Sequence, residues 1–472
     1  MPGNKSLKSN FIMNAILTAS SFIFPLITFP YVSRVLLPIG TGKVAFVTSV
    51  VSYFSMAAML GIPTYGIRAC AQVRDDEKAL SKTVHEIFFI NLIMTILVCA
   101  AYFICLLTIP QFRQEKLLYL VCGSTILFNL LGMEWLYKAL EEYRYITVRS
   151  IIFKFLSVLL MFLLVRSKDD YVFYGAISVF AGVGSNIINF FNVRKHITVK
   201  YLGPYDYTRH LKPVFTFFSL TVAAAIYTNL DIVMLGFIKG DVEVGYYNSA
   251  VKVKFILVTL VTSLSTVLLP RISYYVKNNM KKEYLDLAAK AFQFVILISL
   301  PLCIYFTVMA KESILFLSGS AFLGSVKPMQ IIMPTIIFIG LTNIIGIQLL
   351  VPLEKEKLVL YSTCAGAVVN VILNAFLIPE MGASGAAWGT VAAEAVVLIV
   401  QVVFTRGVLK EIIGNLHILR IAVSLLAAGL GLGVARQFSS GMVFVDLVVT
   451  AAAFFGIYGC FVLFLFRHDL SR

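Results

Sequence analysis

The sequence predicts an all-α membrane protein that crosses the bilayer about fourteen times. Of its 472 residues, 59% are hydrophobic and only 13% are charged, whereas soluble domains carry about 25% charged residues. The mean hydropathy is +0.90. Apolar runs long enough to span a membrane recur along the chain, and the polar stretches between them are too short for a separate soluble domain.

The fourteen predicted spans follow from apolar runs of about 20 residues. The first run is too long for the core of a signal peptide and lacks an A-x-A cleavage site, so we predict that it is retained. The spans lie at residues 11–35, 42–62, 84–109, 116–137, 146–165, 171–193, 213–238, 245–269, 285–309, 326–351, 358–379, 384–405, 416–436 and 442–466.

The longest polar connection, residues 194–212, contains a Gly-Pro pair and separates six spans from eight. We predict an N-terminal six-helix bundle at 1–193, a cytoplasmic linker at 194–212, a second six-helix bundle at 213–409, and two additional spans at 410–472. The segment G-T-G-K-V-A-F-V after the first span resembles V-G-Y-Y-N-S-A-V after the seventh. Such repeats are typical of transporter folds.

The distribution of positive charge predicts the orientation. With the N-terminus inside, 25 of the 39 Lys and Arg residues fall in inside loops and 9 in outside loops. Cytoplasmic loops carry the excess of Lys and Arg in membrane proteins, so both termini are predicted to be cytoplasmic. The net charge of +15 therefore reflects topology, and we predict no nucleic-acid partner because no basic face with interleaved aromatic residues stands outside the spans.

The sequence lacks the motifs of a catalytic, metal or cofactor site. Seven cysteines occur singly, mostly inside apolar runs, and five histidines lie in or beside polar loops without H-E-x-x-H spacing. Neither a Walker A motif nor a nucleophile elbow is present. We predict no cofactor, no metal and no enzymatic activity.

Cations inside predicted spans indicate an internal site. In the organising stretch, residues 132–155, Arg149 and Lys154 lie where the fifth span has begun, although a charge at the centre of a membrane helix costs about 2.5–3.5 kcal/mol. A water-filled cationic cavity that receives an anionic substrate would offset that cost. Arg34 at the outer end of the first span and Arg68 at the end of the second are further candidates. Snorkelling and ordinary anchoring explain these two arginines equally well.

Polar residues at helical spacing extend the candidate site. Lys252 and Lys254 lie about 200° apart around one helix, and we favour Lys252 because it shares a face with Asn248. Polar stripes on three spans predict either hydrogen bonds between helices or a lined aqueous pathway. They contain Asn14, Thr18, Ser21, Pro25 and Thr28 in the first span, Ser185, Asn189 and Asn192 in the sixth, and Thr363, Ala367, Asn370 and Asn374 in the eleventh.

Two acidic residues stand inside predicted spans. Asp231 shares a helix face with Tyr227, and Glu394 lies in T-V-A-A-E-A-V-V. Ionisable groups at such depth are functional candidates. A salt bridge to a neighbouring cation and coupling to a proton or another ion are both open at this point.

Several segments together resemble the Wzx-type flippases of O-antigen and capsule synthesis. They are W-L-Y-K-A-L-E-E-Y-R-Y-I-T-V-R-S, F-I-F-P-L-I-T-F-P-Y-V-S-R-V-L, L-G-I-P-T-Y-G-I-R, Y-T-N-L-D-I-V-M-L-G-F-I with V-G-Y-Y-N-S-A, and I-P-E-M-G-A-S-G-A-A-W-G-T-V-A-A-E. The resemblance covers the chain to about residue 410. It implies the multidrug/oligosaccharidyl-lipid/polysaccharide exporter fold, with two six-helix bundles around a central cavity and two further helices.

The resemblance also implies a substrate, a location and a mechanism. The substrate is an oligosaccharide on undecaprenyl diphosphate, flipped by alternating access from the inner to the outer leaflet of the bacterial cytoplasmic membrane. A polysaccharide polymerase and a chain-length regulator are the implied partners. The substrate-binding positions are Arg34, Arg68, Arg149, Lys154 and Lys252, joined by Asn14, Asn189 and Asn370 from the polar stripes; Asp231 and Glu394 are the candidates for ion coupling.

Other functions fit parts of the same pattern. An ion-coupled exporter of small molecules or drugs would share the fold, although five intramembrane cations stand against two acids here. Composition does not exclude a flippase for peptidoglycan precursors. A lipid-modifying enzyme would need clustered His, Asp and Glu at a membrane face, which the sequence lacks.

Overall fold

The computed structural model describes residues 7–413, 417–438 and 440–467, and every regular element in this part is helical. The chain forms two compact units, Met1–Phe237 and Ile238–Arg472. The helices that begin in the first unit are α1 (Leu7–Met59), α2 (Ile62–Ala71), α3 (Glu77–Thr108), α4 (Pro110–Gln114), α5 (Lys116–Gly132), α6 (Glu134–Ala139), α7 (Tyr143–Leu164), α8 (Tyr171–Val179), α9 (Asn186–Asn192) and α10 (Thr208–Lys239).

In its described part, the second unit contains nine further α-helices. A 3₁₀ segment, Ser320–Ser325, precedes α14, and a π-helical segment, Ile344–Leu350, follows α15. The helices are α11 (Asp241–Lys277), α12 (Lys281–Val308), α13 (Ala310–Leu317), α14 (Val326–Ile332), α15 (Thr335–Asn343), α16 (Glu356–Met381), α17 (Ala383–Ile413), α18 (Ile418–Gln437) and α19 (Val443–Leu465).

The structure confirms the predicted class, an all-α polytopic membrane protein. Ten helices in the described part are long and apolar enough to cross a bilayer, and an eleventh span results if the pair Ser320–Ile332 and Thr335–Leu350, bent by 46°, is counted as one. The number fourteen stays a prediction. Side chains such as Leu419 and Leu430 on α18 are 79% and 75% exposed, as expected of helices that face lipid.

The structure differs from the predicted spans at two breaks. The first two spans join in α1 without a loop, because Leu37 alone turns the chain with φ 59° and ψ −179°. Pro38 follows, and a residue before proline is kept out of the α-helical region. The fourth predicted span is divided at Met133 into α5 and α6, which leaves α5 with only 17 residues.

A buried apolar cluster holds the first unit together where α2, α3 and α6 meet. Ile62, Ile87 and Leu136 have no exposed surface in this cluster. Val193 and Ile197, around the start of the predicted linker, pack into the same cluster. The 194–212 segment therefore belongs structurally to the first unit, while its role as a boundary between bundles stays a prediction.

Helix α19 packs on α12 within the second unit through aromatic side chains that also form hydrogen bonds, and α18 contributes Ala428 and Leu432 to the same buried cluster. Tyr305 on α12 donates to the Leu447 carbonyl at 2.9 Å, and Tyr458 on α19 donates to the Leu297 carbonyl at 2.9 Å. Phe454 is fully buried between them. These contacts attach the two C-terminal helices firmly to this unit.

Candidate functional site

The break between α5 and α6 is the feature around which the candidate site is built. Met133 has φ 39° and ψ 38°, a left-handed conformation that costs a non-glycine residue about 1–2 kcal/mol. The break leaves carbonyls at the end of α5 without helical partners. The Asn189 amide donates to the Gly132 carbonyl at 2.6 Å, and the Asn186 amide donates to the Phe128 carbonyl at 3.1 Å. Helix α9 thus stabilises the broken end.

A cavity of about 560 Å³ lies beside this break, entirely within the first unit. Its walls come from the second half of α1, from α2, α5, α6 and α10, and from the segment α8–α9 with its π-helical turn Phe180–Gly184. Turns of π-helix occur frequently at functional sites. The lining residues are Thr48, Val51, Ser52, Ser55, Met56, Met59, Leu60, Pro63, Cys122, Thr125, Asn129, Gly132, Glu134, Trp135, Lys138, Ser178, Val179, Gly182, Val183, Asn186 and Thr221.

Glu134, the first residue of α6, connects two cations. Its carboxylate lies 3.1 Å from the Lys138 ammonium and 3.4 Å from the Arg149 guanidinium. Arg149 is 6% exposed, donates to the Ser185 carbonyl at 3.3 Å and lies 5.7 Å from the centre of the Tyr145 ring. The buried Arg149 charge is therefore compensated by an acid that faces the cavity.

Lys154 joins α7 to the first helix. Its ammonium donates to the Ser20 hydroxyl at 2.8 Å and to the Ser21 hydroxyl at 2.9 Å. An ammonium has three donors, and the third has no acceptor among the residues that the structure describes. Lys154 is half-buried, so this donor can serve an anionic ligand.

The structure adds a buried acid that sequence reasoning missed. Glu86 has no exposed surface and accepts from the Asp206 amide at 2.8 Å and from Arg209 Nε at 3.0 Å. Its carboxylate also lies 2.8 Å from His210 Nε2, while His210 Nδ1 lies 2.7 Å from the Tyr65 hydroxyl. The signal was present, because Glu86 lies inside the predicted span 84–109. The cluster fastens the 194–212 segment to α2 and α3.

Buried polar groups also line helix contacts in the second unit. The Asn374 amide donates to Asn370 Oδ1 at 3.1 Å, and the Tyr247 and Thr390 hydroxyls lie 2.8 Å apart. Asn370 and Asn374 are almost fully buried. The polar stripe predicted on the eleventh span is therefore present, and its asparagines bond to each other.

Two sequence profiles of known protein families match the chain. The sequence profile of the polysaccharide biosynthesis protein family matches residues 7–276, more than half of the chain. The chain belongs to this family. The MatE profile matches residues 218–376, which is consistent with a shared exporter fold.

Relatives and solved structures support membership of the polysaccharide biosynthesis family. A protein of Escherichia coli (strain K12) named "Putative O-antigen transporter" is 25% identical over 412 residues, covering 85% of this chain and 97% of the relative. One of the same name from Shigella dysenteriae is 24% identical over 421 residues, covering 86% of this chain and 100% of the relative. The relatives are transporters rather than enzymes.

Two solved structures show the fold. A structure of the lipid II flippase MurJ in an inward closed conformation has a TM-score of 0.75 at 20% identity, covering 98% of this chain and 100% of the other. An inward-facing multidrug resistance MATE family transporter of the MOP superfamily has a TM-score of 0.62 at 12% identity, covering 86% of this chain and 99% of the other.

The predicted substrate-binding residues differ in exposure and in the contacts that they make. Arg34, Arg68 and Asn14 are exposed, and Arg34 donates to the Pro30 carbonyl at 2.6 Å. Asn189 is fully buried, with its amide donating to the backbone at the break, so its packing role accounts for its position. Arg149 reaches the cavity wall through Glu134, whereas Lys154 contacts Ser20 and Ser21 of α1, which are not among the lining residues.

The remaining predicted residues lie deeper. Lys252 on α11 is half-buried, and Asn370 on α16 bonds to its neighbour on the same helix. Asp231 and Glu394 are 5% and 4% exposed, and each interacts with other groups. Asp231 interacts electrostatically with Tyr53 of α1, whereas its predicted neighbour Tyr227 lies outside the described side chains.

Proposed function

We propose that the chain is a flippase that moves an undecaprenyl-diphosphate-linked oligosaccharide from the inner to the outer leaflet of the bacterial cytoplasmic membrane. The product would feed O-antigen, capsule or exopolysaccharide synthesis. The observation that carries the proposal is the placement of two cations on α7, Arg149, which pairs with Glu134 on the cavity wall, and Lys154, in a chain of the polysaccharide biosynthesis family. The names of its relatives support the same function.

The chemistry of such a substrate divides into three parts. The diphosphate requires cations, and arginine grips it through paired hydrogen bonds while lysine acts as a point charge. Lys154, Arg34 and Arg68 are accessible enough for this purpose. The sugars require neutral hydrogen-bonding groups. The prenyl tail stays in lipid, so only the head group crosses and no covalent step is needed.

Transport against a concentration gradient requires alternation between two states and a source of free energy. Asp231 and Glu394 are the proposed coupling groups, because both carboxylates are buried inside apolar helices. Lys252 on α11 and Asn370 on α16 are the substrate-binding candidates of the second unit. A polysaccharide polymerase and a chain-length regulator are the proposed partners downstream.

Deleting the gene in its own host tests the proposal and distinguishes the alternatives. We expect loss of surface polysaccharide and accumulation of an undecaprenyl-diphosphate-linked repeat unit, detected by mass spectrometry of lipid extracts. Re-expression of the wild-type chain should reverse both effects. Accumulation of peptidoglycan precursor would identify a peptidoglycan-precursor flippase instead. Unchanged lipids with greater sensitivity to drugs would favour a small-molecule exporter.

A further inference from the structure

Four of the polar side chains that line the cavity of the first unit have no hydrogen-bond partner in the described part of the chain. Trp135 Nε1 and Ser55 Oγ are buried and unpaired. Thr125 and Asn129, one turn apart on α5, are half-buried and also make no hydrogen bond with a described residue. All four line the same cavity. Buried polar groups are normally hydrogen-bonded, so these two buried exceptions, together with two half-buried polar groups on the same wall, indicate a ligand.

The charge of the cavity wall defines the chemistry of that ligand. Among the lining residues, the one cation is Lys138, and it is paired at 3.1 Å with the carboxylate of Glu134, which the buried Arg149 shares. A diphosphate would need uncompensated cations. Neutral hydroxyl, amide and indole groups interspersed with apolar surface from Val51, Met56 and Val179 match a saccharide ring, which has hydroxyl edges and C–H faces.

The position of Trp135 is fixed by its neighbours. A Cβ atom added to Gly66 of α2 would lie 2.8 Å from the indole ring, so the α2 backbone packs directly against one face of the ring. The cavity volume of about 560 Å³ falls within the range of about 300–1,000 Å³ that is usual for ligand pockets. A fixed aromatic ring beside free hydrogen-bonding groups is a recognition surface.

We propose that this cavity is a saccharide subsite, which binds a neutral sugar of the lipid-linked oligosaccharide through Thr125, Asn129, Ser55 and Trp135. The inference rests on the proposed function and adds the location of sugar recognition within a single bundle. Thr125 and Asn129 make the first contacts because their side chains are accessible. Ser55 and the Trp135 N–H are closed off from water and bond to the sugar once the wall moves.

Tryptophan fluorescence can test the subsite without any transport. The chain has two tryptophans, and the other, Trp388, is 46% exposed in the second unit. In the purified full-length Trp388→Phe variant, the emission therefore reports Trp135 alone. The probes are free hexoses, 6-deoxyhexoses and N-acetylhexosamines, singly and as disaccharides, with undecaprenyl phosphate as the sugar-free comparison.

We expect at least one free sugar to shift or quench the Trp135 emission in a saturable manner. Asn129→Leu and Ser55→Ala, on different helices, should each weaken that binding about fivefold or more, as loss of one hydrogen bond predicts. Ser124→Ala is the matched control, because the Ser124 hydroxyl donates to the Val121 carbonyl at 2.6 Å on α5 and does not line the cavity. Thermal unfolding of each variant shows whether it is folded.

Two results would overturn the subsite and leave the flippase proposal intact. One is a Trp135 emission that no sugar changes, while deletion of the gene still causes the lipid-linked repeat unit to accumulate. The other is an emission that responds equally to undecaprenyl phosphate and to sugars, with folded Asn129→Leu and Ser55→Ala variants indistinguishable from the control. If instead sugars bind and no lipid-linked repeat unit accumulates on deletion, the subsite stands and the transport function fails.

Discussion

Replacing Glu134 by glutamine should destabilise the first unit, because it removes the acid that compensates the buried Arg149 charge. The Arg149 side chain is 5% exposed and the Glu134 side chain is 39% exposed. Breaking a fully buried ion pair costs about 3–5 kcal/mol, and an exposed pair contributes about 0.2–1 kcal/mol. In this pair one partner is buried and the other is partly exposed, at 3.4 Å. We therefore expect Glu134→Gln to lower the free energy of unfolding by about 1–2 kcal/mol.

Because Arg149 is buried and Glu134 is partly exposed, removing one partner has a different effect from removing the other. Arg149→Met removes the buried charge itself, so it should lower the unfolding temperature less than Glu134→Gln does, although it should impair transport. The double variant should recover stability relative to Glu134→Gln alone. Lys138→Met is the matched control, because it removes the partly exposed partner of the same carboxylate, one turn away on the same helix, and should cost only about 0.3–0.5 kcal/mol.

Thermal unfolding of the purified variants in detergent measures these differences. An Arg149→Met variant that unfolds at a lower temperature than Glu134→Gln would refute the reasoning, and so would a double variant that shows no recovery.

Three further predictions concern transport and topology. Lys154→Ala should reduce accumulation of surface polysaccharide while Lys154→Arg retains more, since the charge is kept; full activity of Lys154→Ala would remove this residue from the site. Asp231→Asn should abolish gradient-driven transport but leave substrate binding near wild type if Asp231 couples an ion, whereas rescue by neutralising a neighbouring cation would assign it a structural role. Single cysteines at Lys200 and Lys281 should be labelled only from the cytoplasm and one at Lys168 only from outside; external labelling at either of the first two would invert the topology.

The long continuous helices could be predicted from the sequence, because each depends on a local property, the length of an apolar run. The predicted span 358–379 lies within α16, whose bounds are Glu356–Met381. The predicted span 442–466 exceeds α19, Val443–Leu465, by one residue at each end. The break at Met133 was not predictable in the same way. No proline occurs there, and the left-handed residue, Met133, is not a glycine; its side chain is buried, with 3% exposure.

The pairing of Glu134 with Arg149 was equally inaccessible to pattern reasoning. The two residues lie 15 positions apart, and they meet only because α6 turns away from α5 before α7 begins. Asn189 illustrates the opposite case, since its polar stripe was visible in the sequence but its partner, the Gly132 carbonyl, exists as a free acceptor only after the helix breaks. Periodicity identifies which faces are polar, whereas the partner of each polar group depends on tertiary structure.

The break also links stability to function in the first unit. A continuous fourth span would satisfy its own carbonyls and would need neither Asn186 nor Asn189. The break instead starts a new helix at Glu134, whose carboxylate then reaches Arg149, and it brings the Trp135 ring against α2 at the wall of the cavity. A substitution that restored helical continuity at Met133 would therefore move the charge and the aromatic ring together. Residues 132–155 therefore carry the buried Arg149, the half-buried Lys154 and part of the cavity wall in one short stretch of sequence.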